Sequence, residues 1–220
     1  MSRLIAFLVV FLTSCVPVLN SHTISRIHVQ IAQKGSSGSM YDIGSGSILD
    51  TIGGETYVLT AKHLFKRPDE DVYFLKEDLF SKYKKIKIVA LHAEFDAAVV
   101  AYNGSKEARG LSTVWKSYDI NINDPVVFVG APRGYHEQIK IGSIESRCHI
   151  DRICRTKGAS YIVNTPNAKG YSGGGVYING VLVGIGTEVI VTIPFMVPIK
   201  SVFLSLEEID SWITKSLVEK

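Results

Sequence analysis

The chain has 220 residues, of which 46% are hydrophobic and 20% are charged, the balance of an ordinary globular protein. Its formal net charge is only +3, which is too small to indicate nucleic acid as a partner. This length accommodates one large domain or two small ones.

The N-terminus is predicted to be a signal peptide covering residues 1–14. Arg3 precedes an unbroken apolar run at 4–12, which is too short to span a bilayer but long enough for the core of a signal peptide. The residues Leu12-Thr13-Ser14-Cys15 resemble the bacterial lipobox, in which the chain is cut before a cysteine that then carries lipid. We expect a periplasmic or membrane-anchored lipoprotein attached through Cys15, with a tether at 15–24. The alternative is a secretory signal that is cut a little later.

Two further cysteines, Cys148 and Cys154, remain once Cys15 is lipidated or removed. An exported protein meets an oxidising compartment, so this close pair is predicted to form a disulfide that staples a hairpin or loop. A metal site built from Cys148, His149 and Cys154 lacks a fourth ligand at any usual zinc spacing, so we expect no metal there.

Short strands separated by turns begin after residue 25. In the segment 27–31 apolar residues alternate with His28 and Gln30, which is typical of a half-buried strand; His28 itself is expected at the surface. Gly53-Gly54 predicts a hairpin. The strands predicted in this half lie at 27–31, 44–49, 56–60, 71–75, 84–91 and 97–101.

A polar stretch at 103–109 interrupts the pattern and is a candidate linker between two halves. The strands predicted in the second half lie at 125–129, 138–143, 160–164, 174–178, 181–185, 188–192 and 196–199. Many short strands with a turn about every 8–12 residues favour a β-sandwich or a barrel.

Only the end of the chain is predicted to be helical. Ser205 and Glu208 fit a capping box, in which the Ser205 hydroxyl accepts the backbone N–H of Glu208. An apolar stripe then lines one face of a helix at 205–218 and is expected to pack on the sheets; it comprises Leu206, Ile209, Ile213 and Leu217.

Three segments carry side chains suited to acyl transfer. They are Leu59-Thr60-Ala61-Lys62-His63, Phe95-Asp96-Ala97-Ala98-Val99-Val100 and Gly170-Tyr171-Ser172-Gly173-Gly174-Gly175. A serine hydroxyl is a poor nucleophile at neutral pH, so an imidazole must take its proton and a carboxylate must orient that imidazole. His63, Asp96 and Ser172 are therefore the candidate catalytic residues. The backbone N–H groups of Gly170 and Ser172 are the candidate oxyanion hole, because glycine neighbours leave them accessible.

These segments resemble the motifs T-A-x-H, D-x-A-x-[VL] and G-x-S-G-G of the trypsin/chymotrypsin family of serine peptidases, in the same chain order. The stretch at 127–134, followed by Gly142-Ser143-Ile144, is similar to that of HtrA-like bacterial members, and the likeness covers about residues 25–215. We expect the chain to lack the PDZ domain of many HtrA-like proteases.

The resemblance implies an all-β fold of two six-stranded antiparallel β-barrels, with the site in the cleft between them. We expect a protease domain at 25–220, with the first barrel at about 25–102, the second at about 115–203 and the C-terminal helix at 205–218. It also implies a serine endopeptidase acting on proteins or peptides through an acyl-enzyme, without a metal or organic cofactor. Tyr171 stands where members activated by cleavage have an aspartate that receives the new N-terminus, so that switch is not expected.

The same resemblance locates the pocket for the substrate side chain that precedes the scissile bond. Pro166, six residues before the serine, would lie at its base, so no acid favours Arg or Lys there. We expect small or medium apolar side chains, although Glu188 can reach the pocket. The predicted substrate-binding residues are Pro166, Asn167, Ala168, Lys169, Thr187, Glu188 and Val189.

Two other functions are compatible with the residues. The fold can persist as a catalytically silent module that binds peptides in the cell envelope. Alternatively His92, Glu94 and Asp96 alternate along the chain, so on a strand they would face one way and bind the metal of a hydrolase.

Overall fold

A computed structural model of the protein describes residues 26–68, 72–78, 80–132, 137–148, 154, 157–192 and 195–218. The predicted signal peptide, the tether with Cys15, and His149 lie outside these residues. Within the described part of the chain, no helix has the length and apolar character needed to cross a membrane.

The described residues form short strands and a C-terminal helix. The strands are β1 (His28–Lys34), β2 (Met40–Ile52), β3 (Glu55–Thr60), β4 (Tyr73–Lys76), β5 (Lys84–Lys85), β6 (Lys87–Leu91), β7 (Ala98–Tyr102), β8 (Pro125–Gly130), β9 (Gln138–Cys148), β10 (Ser160–Val163), β11 (Gly175–Ile178), β12 (Val181–Thr192) and β13 (Val197–Ser205). The α-helix is Asp210–Val218.

The first half forms an antiparallel sheet of seven strands in the order β5-β4-β1-β2-β3-β7-β6. Its two edge strands, β5 and β6, are separated in the chain by Ile86 alone, and the N–H of Ile86 donates to the carbonyl of Tyr73 at 3.2 Å. One continuous segment at 84–91 therefore contributes to both edges. The sheet curls round on itself, and counting that segment once leaves the six expected strands.

The second half is a closed six-stranded barrel in the order β10-β13-β12-β11-β8-β9. All of its strand pairs are antiparallel. Together with the curled first sheet and the C-terminal helix, this barrel confirms the predicted trypsin-like two-barrel fold.

The two halves share a core in addition to their own interiors. Leu49 and Leu59 of the first sheet pack with Tyr177 and Ile185 of the barrel, and Ile213 of the helix joins the same cluster. All of these side chains are almost completely buried. Burying a large apolar side chain contributes about 1.5–3 kcal/mol, so this shared core fixes the two halves against each other.

One predicted break between strands is absent. The segments 181–185 and 188–192 belong to the single strand β12, and the pairing with β13 shifts register between Gly186 and Glu188. A bulge of this kind leaves one residue unpaired and bends the strand without ending it.

The start of the C-terminal helix also differs from the predicted capping box. The Ser205 hydroxyl accepts the N–H of Glu207 at 3.1 Å, and a 3₁₀ turn, Leu206–Glu208, precedes the α-helix. A 3₁₀ turn is wound more tightly than an α-helix, so the N–H two residues on comes within reach of the cap.

His28 is buried rather than at the surface, with 3% of its area exposed. Its burial lowers the pKa of the imidazole from 6.5 to about 4. The prediction failed because an alternating strand pattern assigns the second face of β1 to solvent. Neighbouring segments cover that face, and a cavity of about 700 Å³ beside His28 is lined in part by Arg26, Glu77, Asp78 and Glu107.

We expect His28 to destabilise the fold in acid. Below pH 6.5 the unfolded chain binds a proton that folded His28 does not accept until about pH 4, so stability falls across this window and is unaffected above it. The loss approaches about 3 kcal/mol at the acid end. The free energy of thermal unfolding is measured for wild type and His28→Leu between pH 4 and 7.5, and the two pH profiles are subtracted. The carboxylates that line the cavity are present in both proteins, so their contribution cancels in the difference. Parallel pH profiles would contradict the assignment.

Candidate active site

His63 and Asp96 are brought together by the pairing of β3 with β7. His63 lies in a 3₁₀ turn, Lys62–Leu64, just after β3, and Asp96 lies just before β7. Thr60 at the end of β3 pairs with Ala98 at the start of β7. The two antiparallel strands therefore deliver the histidine and the acid to the same end of the sheet.

The Asp96 carboxylate contacts both the ring and the backbone of His63. Asp96 Oδ2 lies 2.7 Å from His63 Nδ1, and Asp96 Oδ1 accepts the backbone N–H of His63 at 2.8 Å. An ionised carboxylate only accepts hydrogen bonds, so Nδ1 carries the ring proton. This leaves the lone pair of Nε2 available to accept a proton from another group.

The turn that leads into Asp96 is organised by His92. Its Nδ1 accepts the N–H groups of Glu94 and Phe95 at 3.2 and 3.0 Å, and its ring stacks on that of Phe95. Among the described residues, no group of three His, Cys, Asp or Glu side chains is placed to hold a metal ion. The imidazole of His92 therefore serves to shape this turn.

Ser172 lies on a turn of the second barrel that packs directly against the first sheet. Its carbonyl accepts the N–H of Ser45 in β2 at 2.8 Å. The next residue, Gly173, has φ +80°, and a Cβ built on it would lie 2.1 Å from Thr60 Oγ1 and 2.8 Å from Ala61 N. Thr60 and Ala61 lead directly into His63. Among the described hydrogen bonds, none joins Ser172 Oγ to His63.

The N–H groups of this turn divide into two sets. Those of Tyr171, Gly173 and Gly174 donate to carbonyls of Ala168, Gly186 and Tyr171 at 2.8–3.2 Å. Those of Gly170 and Ser172 donate to no group in the described part of the chain. The two donors proposed from the sequence thus remain free to bind an added acceptor.

Lys140 of β9 contacts the segment that carries Gly170. Lys140 Nζ donates to the carbonyl of Pro166 and lies 5.7 Å from the centre of the Tyr171 ring. The Tyr171 ring is buried, and burial raises the pKa of its hydroxyl to about 12, so it stays neutral. Sequence patterns did not identify Lys140, since it approaches the turn only through the pairing of β8 with β9.

A cavity of about 310 Å³ opens beside Ser172. Six of the seven predicted substrate-binding residues line it; they are Asn167, Ala168, Lys169, Thr187, Glu188 and Val189. Pro166 does not. Val191, Met196 and Pro198 also line the cavity and were missed, because they reach it only if β12 and β13 extend beyond the barrel as one hairpin.

The structure contains the disulfide between Cys148 and Cys154, whose Cα atoms are 6.2 Å apart. It joins the last residue of β9 to Cys154 in the segment that precedes β10, and both cysteines are buried in a cluster with Val202 of β13.

Gly173→Ala should disturb the contact between the turn and the first sheet. The new Cβ would overlap Thr60 Oγ1, in addition to the cost of about 1–3 kcal/mol for a side chain at φ +80°. Gly53→Ala is the matched control, because Gly53 has φ +60° and a Cβ there meets nothing within 4 Å. Urea unfolding should show a larger loss of stability for Gly173→Ala; equal losses would contradict the close approach.

Comparison with known proteins agrees with this architecture. The sequence profile described as "Trypsin-like peptidase domain" matches residues 44–185. Two structures of the HtrA-type protease AlgW with a tripeptide, one of them a serine-to-alanine variant, superpose with a TM-score of 0.71. Their sequences are 16% and 17% identical to this chain, and the match covers 88% and 89% of it but 61% of theirs.

An inactive serine-to-alanine mutant of Rv3671c from M. tuberculosis H37Rv superposes with a TM-score of 0.66 at 16% identity, covering 93% of this chain and 92% of that one. No match was found among curated proteins. Identities this low demonstrate a shared fold alone, and the chain spans about three fifths of the length of the AlgW structures. The profile, however, matches more than half of the chain, and the chain belongs to the family of trypsin-like peptidase domains.

Proposed function

We propose that the protein is a serine endopeptidase that hydrolyses peptide bonds through His63, Asp96 and Ser172. The contact of Asp96 with both the ring and the backbone of His63 is the observation that carries this proposal. It leaves Nε2 of His63 as the proton acceptor, and His63 lies three residues after Thr60, the strand end against which the Ser172 turn packs.

The proposed reaction uses each group in turn. Ser172 Oγ attacks the substrate carbonyl carbon while its proton passes to His63 Nε2, and Asp96 stabilises the resulting imidazolium. The tetrahedral intermediate then collapses, the C–N bond breaks, and the leaving amine takes the proton from His63. Water attacks the acyl-enzyme by the same route and releases the acid. No step requires a metal ion or an organic cofactor.

The free N–H groups of Gly170 and Ser172 support a role in stabilising the intermediate. Negative charge develops on the former carbonyl oxygen, and preorganised N–H donors stabilise it most when no other acceptor occupies them. In this turn the intervening N–H of Tyr171 already has an acceptor. We therefore assign the oxyanion hole to Gly170 and Ser172.

We further propose that residues 25–220 form the protease domain of an exported protein. The predicted signal peptide at 1–14 and tether at 15–24 would precede it, with lipid on Cys15 holding the domain at the membrane. An oxidising compartment is consistent with the disulfide between Cys148 and Cys154. Its partners would be protein or peptide substrates, with no role for nucleic acid.

A second candidate is a catalytically silent module that binds peptides in the cell envelope. The missing hydrogen bond between Ser172 Oγ and His63 favours this candidate. Catalytic hydrogen bonds are often long before substrate binds, however, so an enzyme is compatible with the absence of this bond. Turnover of denatured casein by the folded protein distinguishes the two.

Ser172→Ala should abolish hydrolysis of denatured casein and labelling by a fluorophosphonate. Asp96→Asn should lower kcat by about 10⁴-fold, because the wrong imidazole tautomer is then favoured. Glu94→Gln is the matched control, since Glu94 is an exposed acid two residues away, and it should leave kcat unchanged.

Mass mapping of the labelled peptide identifies the modified residue. Labelling elsewhere than Ser172 would reject Ser172 as the nucleophile. Inactivation by chelators, together with loss of activity in Glu94→Gln, would reject the proposal in favour of a metal-dependent hydrolase.

The cavity should accept small or medium apolar side chains before the scissile bond. Ala168, Val189, Val191, Met196 and Pro198 supply an apolar lining, while Lys169 and Glu188 bring charges of both signs. A peptide-library profile should therefore favour residues such as Val and Leu, and Met196→Ala should shift it towards larger side chains. Cleavage mainly after Arg or Lys would refute this preference.

A further inference from the structure

Ser45 in β2 uses all of its polar atoms in contacts that converge on the candidate site. Its N–H donates to the carbonyl of Ser172 at 2.8 Å, and its carbonyl accepts the hydroxyl of Thr60 at 2.6 Å. Its Oγ donates to the carbonyl of Gly170 at 2.5 Å and accepts the N–H of Ala131 at 3.0 Å. The residue is completely buried.

These contacts join segments that are far apart in the chain. Thr60 lies three residues before His63, whereas Gly170 and Ser172 carry the proposed oxyanion donors. Ala131 follows β8 and belongs to the second half. Ser45 therefore links the histidine side of the site to the serine side.

The hydroxyl contributes something that the backbone of Ser45 does not. Any residue other than proline would keep the bonds made by its N–H and carbonyl, whereas the bond to Gly170 and the bond from Ala131 both need the hydroxyl. Gly170 has φ +103° and no Cβ, so rotation of its peptide groups meets little steric resistance. A bond to its carbonyl therefore restrains the turn in which both free N–H groups lie.

We propose that Ser45 is a positioning residue, whose hydroxyl holds the turn at 170–174 in the conformation that presents the N–H groups of Gly170 and Ser172 to the substrate. This inference rests on the proposed function. It assigns Ser45 no contact with substrate. Its effect is to keep the donors aligned with the oxygen that becomes negative in the transition state.

Ser47 provides a matched control on the same strand. It lies two residues further on, so its side chain projects to the same side of the sheet, and it is 1% exposed. Its Oγ accepts a hydrogen bond at 3.1 Å from Tyr177 Oη of the second barrel. Ser47→Ala thus removes a buried hydroxyl that joins the two halves and makes none of the described hydrogen bonds to the turn at 170–174.

The experiment compares Ser45→Ala, Ser45→Cys and Ser47→Ala with wild type. The active fraction is titrated with a fluorophosphonate at a temperature well below each Tm, and kcat and KM are measured on a peptide substrate. Hydrogen exchange of peptides covering 166–174 is followed by mass spectrometry, a readout that needs no catalysis. Ser45→Cys keeps a side chain of similar shape with a weaker donor and replaces Ser45→Ala should that variant not fold.

We expect both Ser45 variants to lower kcat per active molecule by at least about 10-fold, below the 10²–10³-fold that losing an entire oxyanion donor costs. KM should change by less than about 3-fold, because the loss falls on the transition state. Exchange in 166–174 should speed up. Ser47→Ala should lower Tm but leave kcat and this exchange unchanged.

Ser45 variants that match Ser47→Ala in both kcat and exchange would overturn the inference. A loss confined to KM would also overturn it, because the hydroxyl would then act on ground-state binding. A wild-type protein that neither hydrolyses peptides nor reacts with the fluorophosphonate rejects the proposed function instead. The restraint on the turn is then judged by exchange alone, and unchanged exchange in Ser45→Ala would reject it.

Discussion

The candidate site depends on one close contact between the two halves of the molecule. The turn at 170–174 packs against the middle of β2 and the end of β3, where Gly173 leaves no room for a side chain and Ser45 supplies hydrogen bonds. The shared apolar core contributes the larger share of the free energy that holds the halves together, since it buries many large side chains. The polar contacts at the turn contribute less energy but determine its position, because hydrogen bonds are directional and packing alone is not.

Much of this arrangement could be predicted because it follows from local pattern. Short strands and turns favoured a β-sandwich or a barrel, the resemblance of three motifs to the trypsin/chymotrypsin family implied two barrels, and the fold bears this out. The meeting of His63 with Asp96 follows from one antiparallel pair, β3 with β7, so a strand prediction on each side suffices to explain it. The family resemblance, rather than a local pattern, identified six residues of the cavity lining, which precede the serine motif or lie in β12.

The rest depends on contacts between segments that are distant in the chain, which no local sequence pattern encodes. The hydroxyl of Ser45 meets the carbonyl of Gly170 across 125 positions of sequence, and Ser45 resembles any small residue of a strand. Met196 and Pro198 reach the cavity because a bulge at Gly186–Glu188 lets β12 continue. His28 was assigned to solvent by an alternation that holds for a sheet covered on one face, whereas β1 is covered on both. Each failure concerns which surfaces meet, and only packing decides that.

The contacts around the turn also bear on how its shape is maintained. In family members activated by cleavage, a new N-terminal ammonium pairs with an aspartate next to the serine. Here the neutral, buried ring of Tyr171 occupies that position, Lys140 lies over the ring, and Ser45 holds the carbonyl of the preceding glycine. All of these partners belong to strands and turns of the folded domain. Because the described partners of the turn are groups of the folded domain, we expect the turn to reach its conformation as the two halves pack.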